Sequence, residues 1–303
     1  MNPKSSRVLI TGIEGFTGKY LSSELKNHGY EVFGLSNSRD ETTSNDKEHI
    51  FKCDLINLNL LKKTVQQISP DFVVHLAAIA FVNHDDIGEM YSTNIVGTKN
   101  LLESLLPIKN NIKKVVIASS ANVYGNSDSN VLTEESLIAP ANDYAVSKVA
   151  KEYVAKIYSH DLPILLTRPF NYTGIGQSDK FLIPKIISHI KEKKAVIELG
   201  NINVSRDFTD VRDVVKIYRH LMENLSIKNE TINICSGNIH SLEDILNMAQ
   251  ESSGHSIKIS INPRFVRANE IKILQGSNKK LVSLMGGFTF TPMTRTIDWM
   301  IHG

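Results

Sequence analysis

Short β-branched runs alternate with longer amphipathic stretches through the first half of the chain. The runs have the length and composition of buried strands: RVLIT, EVFGL, HIFKC, DFVVHLA, KKVVIAS and PILLTR. Apolar residues recur with helical spacing between them, over Gly15 to Asn27, Leu58 to Ile68, Asn94 to Leu106 and Tyr144 to Ser159. This alternation predicts an α/β fold built on a doubly wound parallel sheet with helices on both faces.

The strict alternation ends after Arg168. A Gly-rich turn, an amphipathic helix near Phe181 to Lys191 and a strand near Ala195 to Leu199 follow, and then the apolar run TINICSG returns to the main sheet. We therefore expect residues 1–169 plus about 211–237 to form a first domain that binds a dinucleotide. Residues 170–210 plus 238–303 would form a smaller, interleaved α/β domain that binds the substrate.

Composition excludes several classes of protein. With 41% hydrophobic and 22% charged residues the chain has the composition of a globular domain, and its longest apolar runs are far shorter than the roughly 20 residues of a membrane span. A net charge of +2 gives no case for a nucleic-acid or membrane partner. Cys53 and Cys235 form no CxxC pair, and the histidines lack metal-ligand spacing, so we expect no metal and a cytoplasmic location.

A glycine-rich turn follows the first strand. In VLITGIEGFTG, the residues Gly12, Gly15 and Gly18 lie between a strand and the helix that begins near Phe16 and Thr17. Glycines let the backbone approach a pyrophosphate, which then lies at the positive N-terminus of the helix. The segment predicts a dinucleotide-binding site.

The ends of the second and third strands bear on the coenzyme. The second ends in the segment LSNSR, in which Ser36 and Asn37 stand where NAD-binding proteins usually place a carboxylate for the ribose hydroxyl. Arg39 could pair with a 2′-phosphate, which favours NADPH over NADH, although an exposed loop cation is the alternative. Asp54, followed by Leu55, could accept a hydrogen bond from adenine, or be a solvated strand end.

Small residues follow the fourth strand, where the coenzyme backbone must pass close. We assign Leu76, Ala77 and Ala78 to the dinucleotide site, and we interpret the preceding His75 as a hydrogen-bonded core residue.

Two short segments carry the candidate chemistry. SSANVYG ends the fifth strand, and YAVSK enters the next helix, where Tyr144 and Lys148 share one face. An unperturbed tyrosine has a pKa of about 10. A nearby ammonium would lower that pKa and let the tyrosine exchange a proton with a substrate oxygen at neutral pH. Ser120 would hydrogen-bond the same oxygen.

The ordered segments TGIEGFTG, CDL, HLAA, NIVGT, SSANVYG, YAVSK, RPFNYTGIGQ, SRDFTDVRDV and NICSG resemble the extended short-chain dehydrogenase/reductase family over nearly the whole chain. The resemblance implies a Rossmann-type sheet, a catalytic triad of Ser120, Tyr144 and Lys148, and a contact of Lys148 with the nicotinamide ribose. It also places Asn94 and Arg168 near the coenzyme or active site. A helix cap for Asn94 and a structural ion pair for Arg168 are the alternatives.

Residues after the catalytic serine distinguish reactions within this family. Sugar-nucleotide 4,6-dehydratases have acidic residues there, because eliminating water needs a further acid and base. This chain has Ala121 and Asn122, which disfavours a dehydratase. Reduction and epimerisation need only the hydride and the tyrosine proton.

The resemblance also indicates the substrate. NPRFVRANE is similar to the DPxxxRPxE segment of enzymes acting on GDP-mannose derivatives, and QGSNKKL resembles a stretch of GDP-4-keto-6-deoxy-D-mannose reductases. It implies a set of substrate-binding residues: Phe81, Asn122, Asn171, Arg206, Arg267 and Glu270. In this comparison Asn171 contacts a diphosphate oxygen, and the guanidinium of Arg206 suits a diphosphate or the nucleotide ribose. Arg267 binds phosphate or base, and Glu270 accepts hydrogen bonds from guanine N1 and its amino group. A loop bridge through Asp207 or Asp210 for Arg206, and a surface ion pair for the last two, are the alternatives.

These expectations define a nucleotide-sugar enzyme that reduces the C4 keto group of a GDP-linked 4-keto-6-deoxy hexose or heptose with NADPH or NADH, for polysaccharide biosynthesis. A 4-epimerase with tightly bound NAD is the main alternative, followed by a 4,6-dehydratase and a non-catalytic NAD(P)-binding protein. The resemblance also implies a homodimer formed through the helices near Asn94 to Leu106 and Tyr144 to Ser159.

Overall fold

The computed structural model describes residues 6–37, 49–81, 84–127, 131–266 and 271–303. The strands, in chain order, are β1 (Arg7–Thr11), β2 (Glu31–Ser36), β3 (Ile50–Lys52), β4 (Phe72–His75), β5 (Lys114–Ala118), β6 (Ile164–Pro169), β7 (Asn171–Thr173), β8 (Val196–Leu199), β9 (Ser205–Asp210), β10 (Glu230–Ile234), β11 (Ile239–Ser241), β12 (Lys258–Ile261) and β13 (Ile273–Leu274). The α-helices are α1 (Phe16–Asn27), α2 (Leu58–Ile68), α3 (Ile87–Tyr91), α4 (Gly97–Leu105), α5 (Asp143–Tyr158), α6 (Leu182–Lys191), α7 (Val211–Glu223), α8 (Leu242–Ser253), α9 (Lys279–Leu284) and α10 (Met293–His302).

The chain folds into two compact units and passes between them several times. The first comprises Met1–Val123, Asn142–Arg168 and Val215–Ile232, and the second comprises Tyr124–Ala141, Pro169–Val214 and Asn233–Gly303. Residues 124–141, which the sequence places in the first domain, group with the second unit. Their anchors explain this: the Leu132 N–H donates to the Gln275 carbonyl at 2.8 Å.

A seven-stranded sheet organises the first unit, in the order β3-β2-β1-β4-β5-β6-β10. From β3 to β6 every neighbouring pair is parallel. The residues of β1, β4 and β5 are buried on both sides of the sheet, which is why these strands are continuous apolar runs rather than alternating ones. The predicted doubly wound α/β fold is confirmed.

Helices cover this sheet because each presents one apolar stripe to it. On one face α2, α4 and α5 pack with the strands in a single apolar core that contains Leu9, Val73 and Ile117. Val8 and Ile10 point to the opposite side and are also buried. The strand order reverses at β1, which has β2 on one side and β4 on the other, so the carboxyl ends of β1 and β4 form the crevice in which such sheets bind ligands.

The second unit has its own core. Strands β11, β9 and β13 are hydrogen-bonded in that order, β7 pairs with β9, and β12 pairs with β8. Helices α6, α8 and α10 supply the apolar side chains of this core, including Ile186, Ile245 and Ile297, each almost fully buried. No helix in the described ranges has both the length and the apolar composition that crossing a bilayer requires.

Candidate active site

The glycine-rich turn follows β1 at the strand-order reversal. Gly12 has φ +72°, and a Cβ added there would lie 2.9 Å from the Ala77 nitrogen. A Cβ at Gly18 would lie 2.2 Å from the Gly12 carbonyl oxygen. Gly15 is the N-cap of α1 and has no side chain with which to cap it. Only glycine therefore fits at positions 12 and 18. The turn leaves the N-terminus of α1 accessible to a bound phosphate group, as a dinucleotide site requires.

The start of α1 continues this turn. Phe16 and Thr17 are its first two residues and are half-buried. The structure thus brings the predicted residues of the turn together with Leu76 and Ala77, whose N–H groups donate to the Thr11 carbonyl and hydroxyl oxygens, both at 3.2 Å. Ala78 follows, half-buried. The segment after β4 is held directly beside the turn after β1.

His75, the last residue of β4, links the end of β1 to α4 through two hydrogen bonds. Its Nδ1 is hydrogen-bonded to the Thr11 hydroxyl at 2.6 Å and its Nε2 to the Thr98 hydroxyl at 2.8 Å. Complete burial, and to a smaller extent the charges of Lys151 and Lys148, holds the pKa of His75 well below its usual value. A neutral imidazole with both nitrogens bonded confirms its interpretation as a core residue.

The next part of the predicted site is a cleft of about 440 Å³ lined by Asn37, Lys52, Asp54 and Leu60. One Asp54 carboxylate oxygen accepts from the Ile56 N–H at 2.9 Å and so holds the turn after β3. Leu55 is buried beside it. Asp54 therefore both shapes the cleft and lines it, which fits a group that contacts adenine. Arg39 lies outside the described residues.

Sequence reasoning missed Glu14 at this end of the site. The Ser36 hydroxyl, at the last residue of β2, donates a hydrogen bond to the Glu14 carboxylate. The available signal was the position of Glu14 immediately before the second glycine of the turn.

The structure brings Tyr144 and Lys148 together on α5. The Lys148 ammonium lies 5.5 Å from the centroid of the Tyr144 ring and donates to the Ala118 carbonyl at the end of β5 at 3.3 Å. Ser120 follows that strand by two residues, and its Oγ accepts from both the backbone N–H and the side-chain amide of Asn122, at 3.2 and 3.1 Å. All three triad residues are buried.

Burial lowers the pKa of Lys148 from 10.5 to about 8, and the nearby Glu152 carboxylate opposes that shift. The side chain is therefore still mainly protonated at neutral pH. A cation this close to the tyrosine ring stabilises the phenolate that remains when Tyr144 gives up its proton.

A buried network supports the same strand end, and the sequence indicated only one of its members. The Arg168 guanidinium makes a bidentate pair with Glu152, at 2.9 and 2.8 Å, and the Ser119 hydroxyl donates to the same carboxylate at 2.6 Å. Arg168 thus forms the structural ion pair noted as its alternative; its contact with the coenzyme stays a prediction. The signal for Glu152 was its position four residues after Lys148.

Asn94 lies inside a helical run, within the π-helical turn Ser92–Val96 that joins α3 to α4, so it is not a helix cap. Its Oδ1 accepts from the Ile79 N–H at 2.8 Å, and its Nδ2 donates to the Ser147 hydroxyl at 2.9 Å. The side chain ties the segment after β4 to α5, next to Tyr144 and Lys148. A π-turn that redirects one side chain in this way is often found at functional sites.

The remaining predicted residues are placed as follows. Phe81 lies in the first unit, in the segment after β4, and is half-buried. Asn171, on β7 of the second unit, is exposed. Arg206, on β9, is 9% exposed and donates to the carbonyls of Ser205 and Lys272, both at 3.0 Å. Arg267 and Glu270 lie outside the described residues.

The aspartates suggested as partners of Arg206 accept hydrogen bonds from other groups as well. Asp207 accepts from the Ser236 N–H and hydroxyl and from the Gly237 N–H, at 2.7 to 2.9 Å. Asp210 accepts from Arg212 at 2.6 Å. The hydrogen bonds of Arg206 to the Ser205 and Lys272 carbonyls join β9 to the residue before β13.

Comparison with known proteins gives full-length matches. The family model described as NAD dependent epimerase/dehydratase family matches residues 8–235. GDP-6-deoxy-D-talose 4-dehydrogenase of Aggregatibacter actinomycetemcomitans is 36% identical over 97% of this chain and 96% of its own, and GDP-6-deoxy-D-mannose reductase of Pseudomonas aeruginosa is 29% identical over 93% and 91%.

A crystal structure of a Burkholderia cenocepacia J2315 protein, provisionally named an epimerase, superposes with a TM-score of 0.91 at 43% identity, over 98% of this chain and 97% of the other. The matches confirm the resemblance inferred from the sequence. The chain belongs to the NAD dependent epimerase/dehydratase family, the extended short-chain dehydrogenases/reductases, and its cofactor is a nicotinamide dinucleotide.

Proposed function

We propose that this protein reduces the C4 keto group of a GDP-linked 4-keto-6-deoxy sugar, a hexose or a heptose, and so supplies a GDP-6-deoxy sugar for polysaccharide biosynthesis. The observation that carries the proposal is the buried cluster of Ser120, Tyr144 and Lys148 at the carboxyl end of β5. Two relatives whose names specify redox chemistry on GDP-6-deoxy sugars support the choice of substrate.

The direction of the Ser120 hydroxyl is set by its neighbours. Because its oxygen already accepts two N–H groups from Asn122, its own proton is directed elsewhere and can be donated to the carbonyl oxygen of a substrate. Ser120 thus orients that oxygen and stabilises negative charge as it develops there.

Tyr144 supplies the proton. When bound, the reduced nicotinamide provides the hydride that the carbonyl carbon receives. Tyr144 transfers its phenolic proton to the oxygen, which becomes the C4 hydroxyl, and a phenolate remains. Lys148, charged below a pKa of about 8, stabilises that phenolate, and the Ala118 carbonyl holds the ammonium in place.

The same geometry argues against elimination of water. A 4,6-dehydratase needs a further acid and base next to the serine, whereas Ala121 is buried and Asn122 is hydrogen-bonded to Ser120. An epimerase remains the alternative that needs no additional group, and the provisional name of the Burkholderia protein is in its favour.

The substrate contacts taken from the resemblance remain part of the proposal. Phe81 and Asn122 would contact the sugar, and Asn171 and Arg206 the diphosphate. Arg267 would bind the phosphate or the base, and Glu270 the guanine. Among these contacts the one from Arg206 has the clearest physical basis, because a guanidinium can donate two parallel hydrogen bonds to a diphosphate.

We also propose that the protein is a homodimer. Helix α5 exposes Val146, Tyr153 and Ile157, at 40%, 59% and 72%. Their spacing of seven and then four residues places them on one helical face, where a second copy of the helix would cover them.

The test uses GDP-4-keto-6-deoxy-D-mannose made in place by a dehydratase, with NADH or NADPH added to the purified protein. Loss of the coenzyme's absorbance and a GDP-6-deoxy sugar identified by NMR are expected. Tyr144→Phe should abolish turnover and preserve coenzyme binding. Conversion of a saturated nucleotide sugar without added coenzyme would replace the reductase with an epimerase. No turnover by folded protein that binds the coenzyme would contradict the choice of substrate.

A further inference from the structure

A carboxylate lies at the end of β2 although the strand itself supplies none. Glu14, in the turn between Gly12 and Gly15, accepts a hydrogen bond from the hydroxyl of Ser36, the last residue of β2. Both side chains are half-buried. The glycine-rich turn thus places an acidic group where strand β2 ends in small polar residues.

Glu14 lies at the start of a helix and its side chain is held in place. It stands two residues before Phe16, the first residue of α1, and the positive end of a helix stabilises negative charge. The hydrogen bond that Glu14 accepts from the Ser36 hydroxyl restricts the rotamer of the side chain.

The end of β2 is where sheets of this kind bind the adenosine ribose. A carboxylate there accepts hydrogen bonds from ribose hydroxyls. A 2′-phosphate carries about −1.5 to −2 charges at neutral pH and would be repelled by the same group. The two coenzymes differ only in this phosphate, so a fixed negative charge distinguishes them.

We propose that Glu14 selects the coenzyme, by accepting a hydrogen bond from the adenosine 2′-hydroxyl and excluding a 2′-phosphate, so that the protein uses NADH in preference to NADPH. This inference rests on the proposed function for the redox reaction, and it replaces the expectation of NADPH, which depended on Arg39.

The other described charges near this point do not reverse the preference. The cleft beside Ser36 is lined by Asn37, Lys52, Asp54 and Leu60. The carboxylate of Asp54 offsets the ammonium of the exposed Lys52, which leaves Glu14 in excess. Arg39 is a cation that lies beyond the described residues, so the experiment must measure the balance directly.

Isothermal titration calorimetry of the purified protein with NAD⁺, NADP⁺, ADP-ribose and 2′-phospho-ADP-ribose measures this selection without any sugar substrate. We expect the wild type to bind NAD⁺ at least about tenfold tighter than NADP⁺, which corresponds to about 1.4 kcal/mol. The fragments should show the same ratio, because the nicotinamide plays no part in it.

Glu14→Gln removes the charge and keeps the shape. We expect it to raise the affinity for NADP⁺ and 2′-phospho-ADP-ribose, and so to lower the selectivity by about tenfold or more. Glu24→Gln is the matched control: Glu24 also lies in the first unit, on α1, paired with Arg219, and its loss changes the net charge equally. Its selectivity should equal that of the wild type.

Wild-type protein that binds NADP⁺ as tightly as NAD⁺ would overturn the proposal. So would Glu14→Gln with unchanged selectivity, or a shift of equal size in Glu24→Gln. Failure of the proposed reaction is a separate result: protein with the expected selectivity that leaves the GDP-keto sugar unreduced would refute the choice of substrate alone.

Discussion

Replacing Lys148 by methionine should make the protein inactive and more stable. Lys148 is 3% exposed, and burial lowers its pKa from 10.5 to about 8. Since one pKa unit corresponds to about 1.4 kcal/mol, the folded state holds the charged side chain at a cost of about 3 kcal/mol. Methionine fills much of the same volume without a charge.

Two interactions reduce the gain. The hydrogen bond from Lys148 to the Ala118 carbonyl is lost, which costs about 1 to 1.5 kcal/mol. Glu152 loses a nearby cation, but its bidentate pair with Arg168 remains, so its charge keeps a partner. A net stabilisation of about 2 kcal/mol is left, which for a chain of 303 residues raises Tm by about 3 °C.

Urea unfolding of the coenzyme-free proteins at several pH values measures this effect, and its pH dependence has a defined sign. Both the folded and the unfolded chain protonate Lys148 below a pH of about 8, so the cost is fully present there. Between about 8 and the ordinary pKa of 10.5 only the unfolded chain holds the proton, so the cost of the charge falls to zero. The loss of the hydrogen bond to Ala118 remains, so the advantage of Lys148→Met disappears within this range.

Turnover should fall by at least about 100-fold, because the phenolate of Tyr144 loses its stabilising cation. Lys114→Met is the matched control. Lys114 is also buried with a pKa lowered to about 8, but it begins β5 at the end opposite Ser120 and donates to the carbonyls of Leu221 and Asn224. It should retain the wild-type rate. Lys148→Met that is less stable than the wild type at neutral pH, or that retains substantial turnover, would refute this reasoning.

Three further substitutions test other parts of the site. In Asn122→Asp the new carboxylate should accept the Ser120 proton, whereas the Asn122 amide donates to the Ser120 oxygen. We expect kcat to fall by about 100-fold with coenzyme affinity unchanged, and a kcat equal to that of the wild type would show that Ser120 is not held as a donor. Gly18→Ala places a Cβ 2.2 Å from the Gly12 carbonyl, so calorimetry should find weaker NAD⁺ binding, by about tenfold or more. Tyr153→Glu introduces a charge beside Ile157 and should give a monomer in light scattering; a wild-type monomer would contradict the dimer.

The features that the sequence predicted are those in which one short segment contains the whole signal. The glycine turn depends on spacing within one strand-turn-helix segment, and the pair of Tyr144 and Lys148 depends on spacing within one helix. The periodicity of the sequence and the residue types of the turn are therefore enough to predict both. Apolar runs located the strands for the same reason, although β3 is confined to Ile50–Lys52 and the expected helix from Asn94 begins instead with a π-turn.

The features that escaped prediction join segments far apart in the chain. Glu14 meets Ser36, Glu152 meets Arg168, and Asn94 meets Ile79 and Ser147, in each case because the sheet brings different connections to one edge. Local propensity contains no information about such pairings, which depend on strand order and register. Residues 124–141 show the same limit, since backbone hydrogen bonds to residues near Gln275 determine where they lie.

The central claim is that the triad adds hydrogen to C4 of a GDP-linked keto sugar. The most direct measurement supplies GDP-4-keto-6-deoxy-D-mannose with NADH deuterated at the transferable position and locates the label in the product by NMR and mass spectrometry. The account predicts a GDP-6-deoxy sugar that carries a single deuterium at C4, formed in equal amount to the coenzyme consumed, and no product with Tyr144→Phe. Product without deuterium at C4, or unchanged keto sugar with folded wild-type protein, would contradict it.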